Sequence, residues 1–563
     1  MYGGQDRWAS GRDKKTGTER GFALVSVVMA IAILSTFLLV ALAYTLNNLG
    51  PARRGQDAKS AQQAALAGID EYLSRLAGDS SYWQKGNNDS TNAAFTSAGR
   101  TIQGTGGASS TSARYSYSLL SSVSDVSSSG VIRLRVTGMS GPAGGTGTVS
   151  RTMTVELKRS GLLDYVYLTD YEVIDPALVN GPSTCAAYYY ALGTQPARSG
   201  KCSEIQWGAN DTVNGPLHSN DALQINGSVN FTNPKTETSW PDTKGAADGA
   251  PTWWGKQNPP LTGYPPKYVD TIALPESNNE LLNHVPPNID VDGQVGKGCY
   301  YTGATRIILQ GSTMRVLSPA TSSSGVPARC YNTAASARGS EQTVAVPPVI
   351  YVGNTASTCA QVGYPATGEL TPTQTGVDDA SWQATVTKGG TAYSYQTTNY
   401  ACGRGTVFVQ GTTSVPVTVA GYDDVVVTGD LKVSATNGAT LVGLIAGNCV
   451  WVYHPAKSGG TNQLPVNLNS SANVTTIQAA ILALGHSFVV QNWNAGSSLG
   501  DLNVYGAIAQ KFRGPVGTSN SSGGVASGYA KKYTYDGRLA NIQPPYFLNA
   551  GNSPYKISGL TDG

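Results

Sequence analysis

Charge is scarce in this sequence. Only 13% of its 563 residues are Asp, Glu, Lys or Arg, and the formal net charge is +3. Cations so dilute cannot neutralise a run of phosphates, so nucleic acid is not an expected partner. The seven cysteines include no C-x-x-C pair, which removes the usual zinc and dithiol motifs. No Ser/His/Asp nucleophile motif, phosphate-binding glycine loop or metal-ligand spacing occurs either. His218 in L-H-S-N-D, His454 in Y-H-P and His486 in G-H-S stand singly and read as hydrogen-bonded corner residues rather than bases or ligands. No enzyme, cofactor or metal is therefore expected, with one opening left for a calcium ion held by loop Asp and Asn oxygens.

What is abundant points outward. Glycine (67) and tyrosine (30) far outnumber phenylalanine (8), and Ser, Thr and Asn are plentiful. Short side chains and tyrosines with few charges suit an exported, all-β chain with many turns.

One long apolar run is present. From Phe22 to Leu46 the sequence is nearly all apolar, and no charge occurs between Phe22 and Ala52. As a helix, 25 residues rise roughly 37 Å, enough for a hydrocarbon core of about 30 Å. The preceding leader carries Arg7, Arg12, Lys14, Lys15 and Arg20 against Asp6, Asp13 and Glu19, so it should stay cytoplasmic with the rest of the chain outside. The run is too long for a cleaved secretory signal and lacks a small-x-small site. Beyond a weak spot at Gly50-Pro51, DAKSAQQAALAGIDEYLSRL (57–76) places Ala61, Ala65, Ile69, Tyr72, Leu73 and Leu76 on one helical face. The spacing predicts one long helix over 22–77 that crosses a membrane and then packs on a globular head.

A basic leader (1–21), Gly21-Phe22 at the border, an apolar helix and an amphipathic continuation resemble the class III signal of type IV pilins. The wording RGFALV followed by AQQAALAGIDEYL is most similar to PilX-type minor pilins. The resemblance covers about a tenth of the chain. It implies cleavage by a prepilin peptidase after Gly21, N-methylation of Phe22, and packing of the helix among other pilin subunits in a filament core. It also implies passage from the inner membrane to a pilus or the cell surface. One position departs from it. Major pilins carry a glutamate at the fifth residue after the cleavage site, where this chain has Ser26. A carboxylate in a bilayer is costly without a partner, so a subunit without such a neighbour, as at a filament tip, is better without one.

Three period-2 segments follow, ARYSYSLL (113–120), GVIRLRVTG (130–138) and TVSRTMTVELKR (148–159). They predict a small antiparallel sheet over the helix face, within a pilin-like module spanning 78–160. The rest of the chain has another pattern. Short β-branched strands alternate with Gly, Asn and Asp corners between 406 and 512. Gly447-Asn-Cys-Val-Trp-Val echoes Gly485-His-Ser-Phe-Val-Val at an offset of 38 residues, and VNGPLHSND (213–221) echoes VYGAIAQKF (504–512). This predicts a right-handed parallel β-helix or solenoid over 161–540, with a Greek-key sandwich as the competing arrangement. On this reading the Pro/Gly/Thr-rich segments 232–300 and 320–400 are insertions between coils, and 541–563 is a C-terminal cap on the last coils. The aromatic loop WPDTKGAADGAPTWWGKQNPPLTGYPPKY (240–268) is the expected adhesive surface, with host or surface glycans or proteins as its partners. Sequence-local pairing of cysteines outside the cytoplasm gives Cys185–Cys202, Cys299–Cys330 and Cys359–Cys402, leaving Cys449 as a buried thiol.

Two other functions share these features. One is a membrane-anchored surface protein that binds or cleaves polysaccharide, with Asp423, Asp424, Asp430 and Asp501 as its carboxylates. The other is a secretion-system pseudopilin.

Overall fold

The computed structural model describes the chain apart from residues 1–18, 103–112, 142–146, 189–201, 209–210, 227–228, 240–252, 255–261, 264–265, 291, 322–325, 333, 335–339, 357–370, 374–382, 397–398, 469–472, 521–523, 551–552 and 563. A single α-helix runs from Glu19 to Gly78, about 90 Å at 1.5 Å per residue. It passes through Gly50-Pro51 without interruption and begins three residues ahead of Phe22. Its stretch Leu24–Thr45 is long and apolar enough to cross a membrane, and none of it is covered by the rest of the chain.

The C-terminal part of the helix is packed. Ala61, Ala64, Ala65, Ile69, Tyr72 and Leu76 are all at most 1% exposed. Ala65, Ile69, Tyr72 and Leu76 form one core with Tyr115, Tyr117, Leu134, Val136, Met153, Val155 and Leu157. Those partners lie on antiparallel strands Arg114–Leu119, Val131–Ser140 and Val149–Arg159, where the period-2 pattern predicts strands. Small side chains bring helix and sheet close. A Cβ on Gly138 would stand 1.9 Å from the Ala61 carbonyl oxygen and 2.4 Å from the Ala65 nitrogen. At one edge of the packed face, Glu71 accepts from the Tyr117 hydroxyl at 2.7 Å and pairs with Arg100 at 3.0 Å.

The fifth strand of this sheet comes from the far end of the chain. Tyr555–Asp562 pairs antiparallel with Met153–Arg159. This corrects the expectation that 541–563 caps the last coils. Leu539, Tyr546, Phe547, Leu548 and Ala550 instead cover the outward side of parallel strands, against Ala420, Ile445, Leu482 and Ala509. Strands apolar on both faces need such cover.

Beyond Ser160 the chain builds a stack of parallel strands. One column of paired residues runs Cys299, Ile350, Val419, Leu444, Ile481, Ile508, Tyr167, Leu217 and Thr236. A second runs Ile307, Val409, Val427, Val452 and Val490. All but Thr236 of the first column, and all of the second, belong to one continuous core. The order of the first column describes the chain's path. It joins the stack in the middle at Tyr167, proceeds through Leu217 to one end, crosses along the side, restarts at Cys299 at the other end, and returns until Ile508 lies beside Tyr167.

The crossing segment is itself apolar. Leu281 and Val285 pack beside Tyr351, Ile445 and Leu482 on the outward face. At the closure, the Arg513 guanidinium pairs with Glu172 at 2.9 Å, both side chains almost wholly buried, and lies 3.9 Å from the Trp207 ring centroid.

The supposed insertions also need correcting. Thr236–Thr238, Thr262–Gly263 and Lys267–Tyr268, within 232–300, pair parallel in the main sheet. Val349–Gly353, within 320–400, does the same. These strands of two to five residues are too short for alternation to show in sequence.

Candidate functional site

The two ends of the helix carry different surfaces. Gly21 and Phe22 lie in its opening turns. Ser26 is exposed, within an apolar surface that includes Leu24, Val25, Val28, Phe37 and Leu38, each more than half exposed. In water such a surface would be strongly unfavourable, so it calls for lipid or other helices.

The cysteines lie in the all-β part. Cys185 is joined to Cys202 and Cys299 to Cys330. Cys402 is disulfide-bonded, while Cys359 lies outside the described residues. Cys449 is a buried thiol. Most of the aromatic loop 240–268 also lies outside the described residues, although Trp253–Trp254 pairs parallel with Leu223–Gln224.

The candidate carboxylates are dispersed. Asp423 is engaged on both oxygens, one accepting from the Asn448 side chain at 3.3 Å, the other from the Gly405 amide at 3.2 Å, and Arg404 lies 3.3 Å away. Asp430 accepts from the Thr475 and Thr476 amides at 2.8 and 3.0 Å and pairs with Lys432. Asp501 is exposed. Asp424 alone of the four lines a cleft. It accepts from the Cys449 amide at 3.0 Å, and burial raises its pKa, opposed by Arg404.

Of the histidines singled out in the sequence, two are structural. His218 is fully buried, bonds Asn220 at 2.8 Å, and burial pushes its pKa down to about 4. His454 bonds the Gln491 carbonyl at 2.9 Å and is likewise lowered by burial. His486 differs. Its Nδ1–H donates to Asp175 at 2.5 Å, a bond that raises its pKa, and it stands on the cleft wall.

That cleft, of about 490 Å³, lies between the hairpin Gln383–Gln396 and the outward side of the stack. Trp451 is part of it because Val450 and Val452 point into the core, which turns the residue between them outward. Sequence reasoning missed the cleft, since its walls come from segments near 178, 393, 424, 450 and 490. Among the described residues, no group of three or more His, Cys, Asp or Glu is placed to hold a metal ion.

No family model matches the chain, and no curated protein matches it. A solved structure with some likeness is the crystal structure of the competence-associated pilin ComZ from Thermus thermophilus. It is 12% identical, with 90% of this chain and 97% of that chain covered, at a TM-score of 0.29. A likeness at that score carries no argument about function.

Proposed function

We propose that the chain is a minor subunit of a type IV pilus or related filament that displays its large all-β part for attachment or for starting assembly. The observation that carries this is the division of the 60-residue helix. Its stretch Leu24–Thr45 is bare and apolar, while one face of its last turns, from Ala61 to Leu76, is sealed against an antiparallel sheet. Such a helix can leave lipid only for an equally apolar surrounding, which a bundle of like helices supplies. Prepilin peptidase cutting after Gly21, methylation of Phe22 and neighbouring pilin subunits belong to this reading. Ser26 in place of a carboxylate favours a tip position, where no neighbour would offer a pairing charge.

The large part is read as a parallel β-solenoid, on the strength of its two in-register columns. It is read as a display module rather than an enzyme, because cleavage of a glycosidic bond ordinarily uses two carboxylates across one site and only one of the four considered lines the cleft.

The N-terminal peptide of protein purified from native membranes tests the reading. A mature chain starting at Phe22, and accumulation of the full precursor in Gly21→Trp, are expected. A chain that keeps Met1, or one starting beyond the helix, would overturn it.

A further inference from the structure

We infer that the cleft beneath the Gln383–Gln396 hairpin binds a short run of uncharged sugar residues, and so forms the contact surface of the attachment role. The biological setting rests on the reading above, whereas the chemistry rests on the cleft alone.

A pyranose ring presents a flat C–H face and a rim of hydroxyls. It is held by aromatic planes on the face and by planar amides or carboxylates at the rim. The cleft offers both. Tyr393 and Tyr395 alternate on one strand and so project from the same side. Trp493, half-buried, comes from the stack opposite, and Trp451, only 4% exposed, backs that wall from within the packed layer. Asp424 and Asn494 supply the polar edge. Aromatics of this type give a large apolar contact with little rotamer freedom to lose.

The electrostatics select among ligands. Among the described residues no Lys or Arg lines the cleft, and its buried carboxylate, Asp424, is backed by Arg404 at 3.8 Å. His486, the lining group that can carry a positive charge, is already bonded to Asp175, so a phosphate chain would meet only a compensated charge there, whereas neutral hydroxyls are suitable donors to a carboxylate. The volume of about 490 Å³ falls in the roughly 300–1,000 Å³ range of small-molecule sites. The wall is also held in place before any ligand arrives. Asn492 accepts from the Gln396 amide at 2.6 Å and donates to its carbonyl at 2.9 Å, and Asn462 accepts from the Gly389 amide at 2.7 Å. Preorganisation of this kind reduces the ordering cost of binding.

The test uses the full chain in detergent micelles, titrated with cellotriose, chitotriose and mannotriose by calorimetry. Saturable, single-site binding of at least one trisaccharide is expected. Trp493→Ala and Tyr393→Ala should each weaken it about tenfold or more, an effect of about 1.4 kcal/mol, and Tyr393→Ala, at an exposed position of the hairpin, should do so with unchanged thermal unfolding. The proposal is overturned if none of the three binds at millimolar concentration. It is also overturned if binding is unaffected in both variants, or if a single-stranded oligonucleotide binds with the same dependence on Trp493 and Tyr393. Because these measurements need neither processing nor assembly, failure here together with a mature Phe22 terminus would remove the ligand and leave the filament reading standing.

Discussion

The backbone amide of Ser160 donates to the carbonyl of Pro554 at 2.9 Å, so the segments leading into and out of the parallel stack leave the antiparallel sheet side by side. The pairing continues as Arg159 opposite Tyr555, with the Arg159 guanidinium 5.3 Å from the Tyr555 ring centroid. Lys556 then reaches Asp164 at 2.5 Å. Two adjacent tethers hold the large part to the head, where a single linker would leave it free to swing.

Ending the chain after Ser553 should therefore weaken the head selectively. Removing Tyr555–Asp562 strips the ladder from Met153–Arg159, at about 0.5–1.5 kcal/mol net per hydrogen bond. Limited proteolysis within 149–161 should accelerate several-fold, while the disulfide-bearing stack keeps its resistance. Equal cleavage rates in the two proteins would show that the strand is dispensable.

Gly138→Val should unseat the helix from its sheet. The added side chain would collide with the helix backbone at Ala61 and Ala65, and overpacking of this kind costs about 1–3 kcal/mol, or more where backbone must shift. Thr137→Val is the control. Thr137 bonds Thr152 at 3.1 Å, on the alternate face of the strand, and should lose less than about 1 kcal/mol. The urea midpoints of the two variants decide the matter.

Acid should destabilise the stack through His218. Held at about 4 against an ordinary 6.5, this base lets the unfolded chain take up a proton first. Its contribution is complete above pH 6.5, falls as pH drops towards 4 and levels off below that. At about 1.4 kcal/mol per decade, the full loss is about 3 kcal/mol. His454, also lowered by burial, acts in the same direction. His486, raised by Asp175, acts oppositely, adding stability below pH 6.5 that fades as pH rises through its folded value. Melting temperatures from pH 4 to 7 should fall less steeply in His218→Gln than in the parent, and parallel curves would exclude His218 as the source.

The parts of the fold legible in sequence were those with a repeating apolar period. The buried helix face at Ala61, Ala65, Ile69, Tyr72 and Leu76 follows from 3.6-residue spacing. The echo at an offset of 38 residues is the parallel register Val450 to Phe488. The echo between 213–221 and 504–512 also has a physical origin, since Leu217 and Ile508 both pair with Tyr167.

The final strand, YKISGLTD, hid because it lies at a sheet edge and stays half-exposed to exposed throughout. It has no apolar alternation to betray it. The ladder strands inside 232–300 hid because two or three residues cannot display a period. The cleft hid for a third reason. Trp451 and Trp493 are forty-two positions apart, and only the parallel register brings their segments to one side of the stack.

The mid-stack junction has a consequence for biogenesis. Tyr167 acquires its neighbour on one side only when Ile508 has been delivered, and Glu172 waits for Arg513. A polypeptide made from its amino end must therefore hold its earliest rungs unfinished until nearly all of it has emerged, so a premature stop anywhere before residue 508 would yield a product with no closed centre, open to proteolysis.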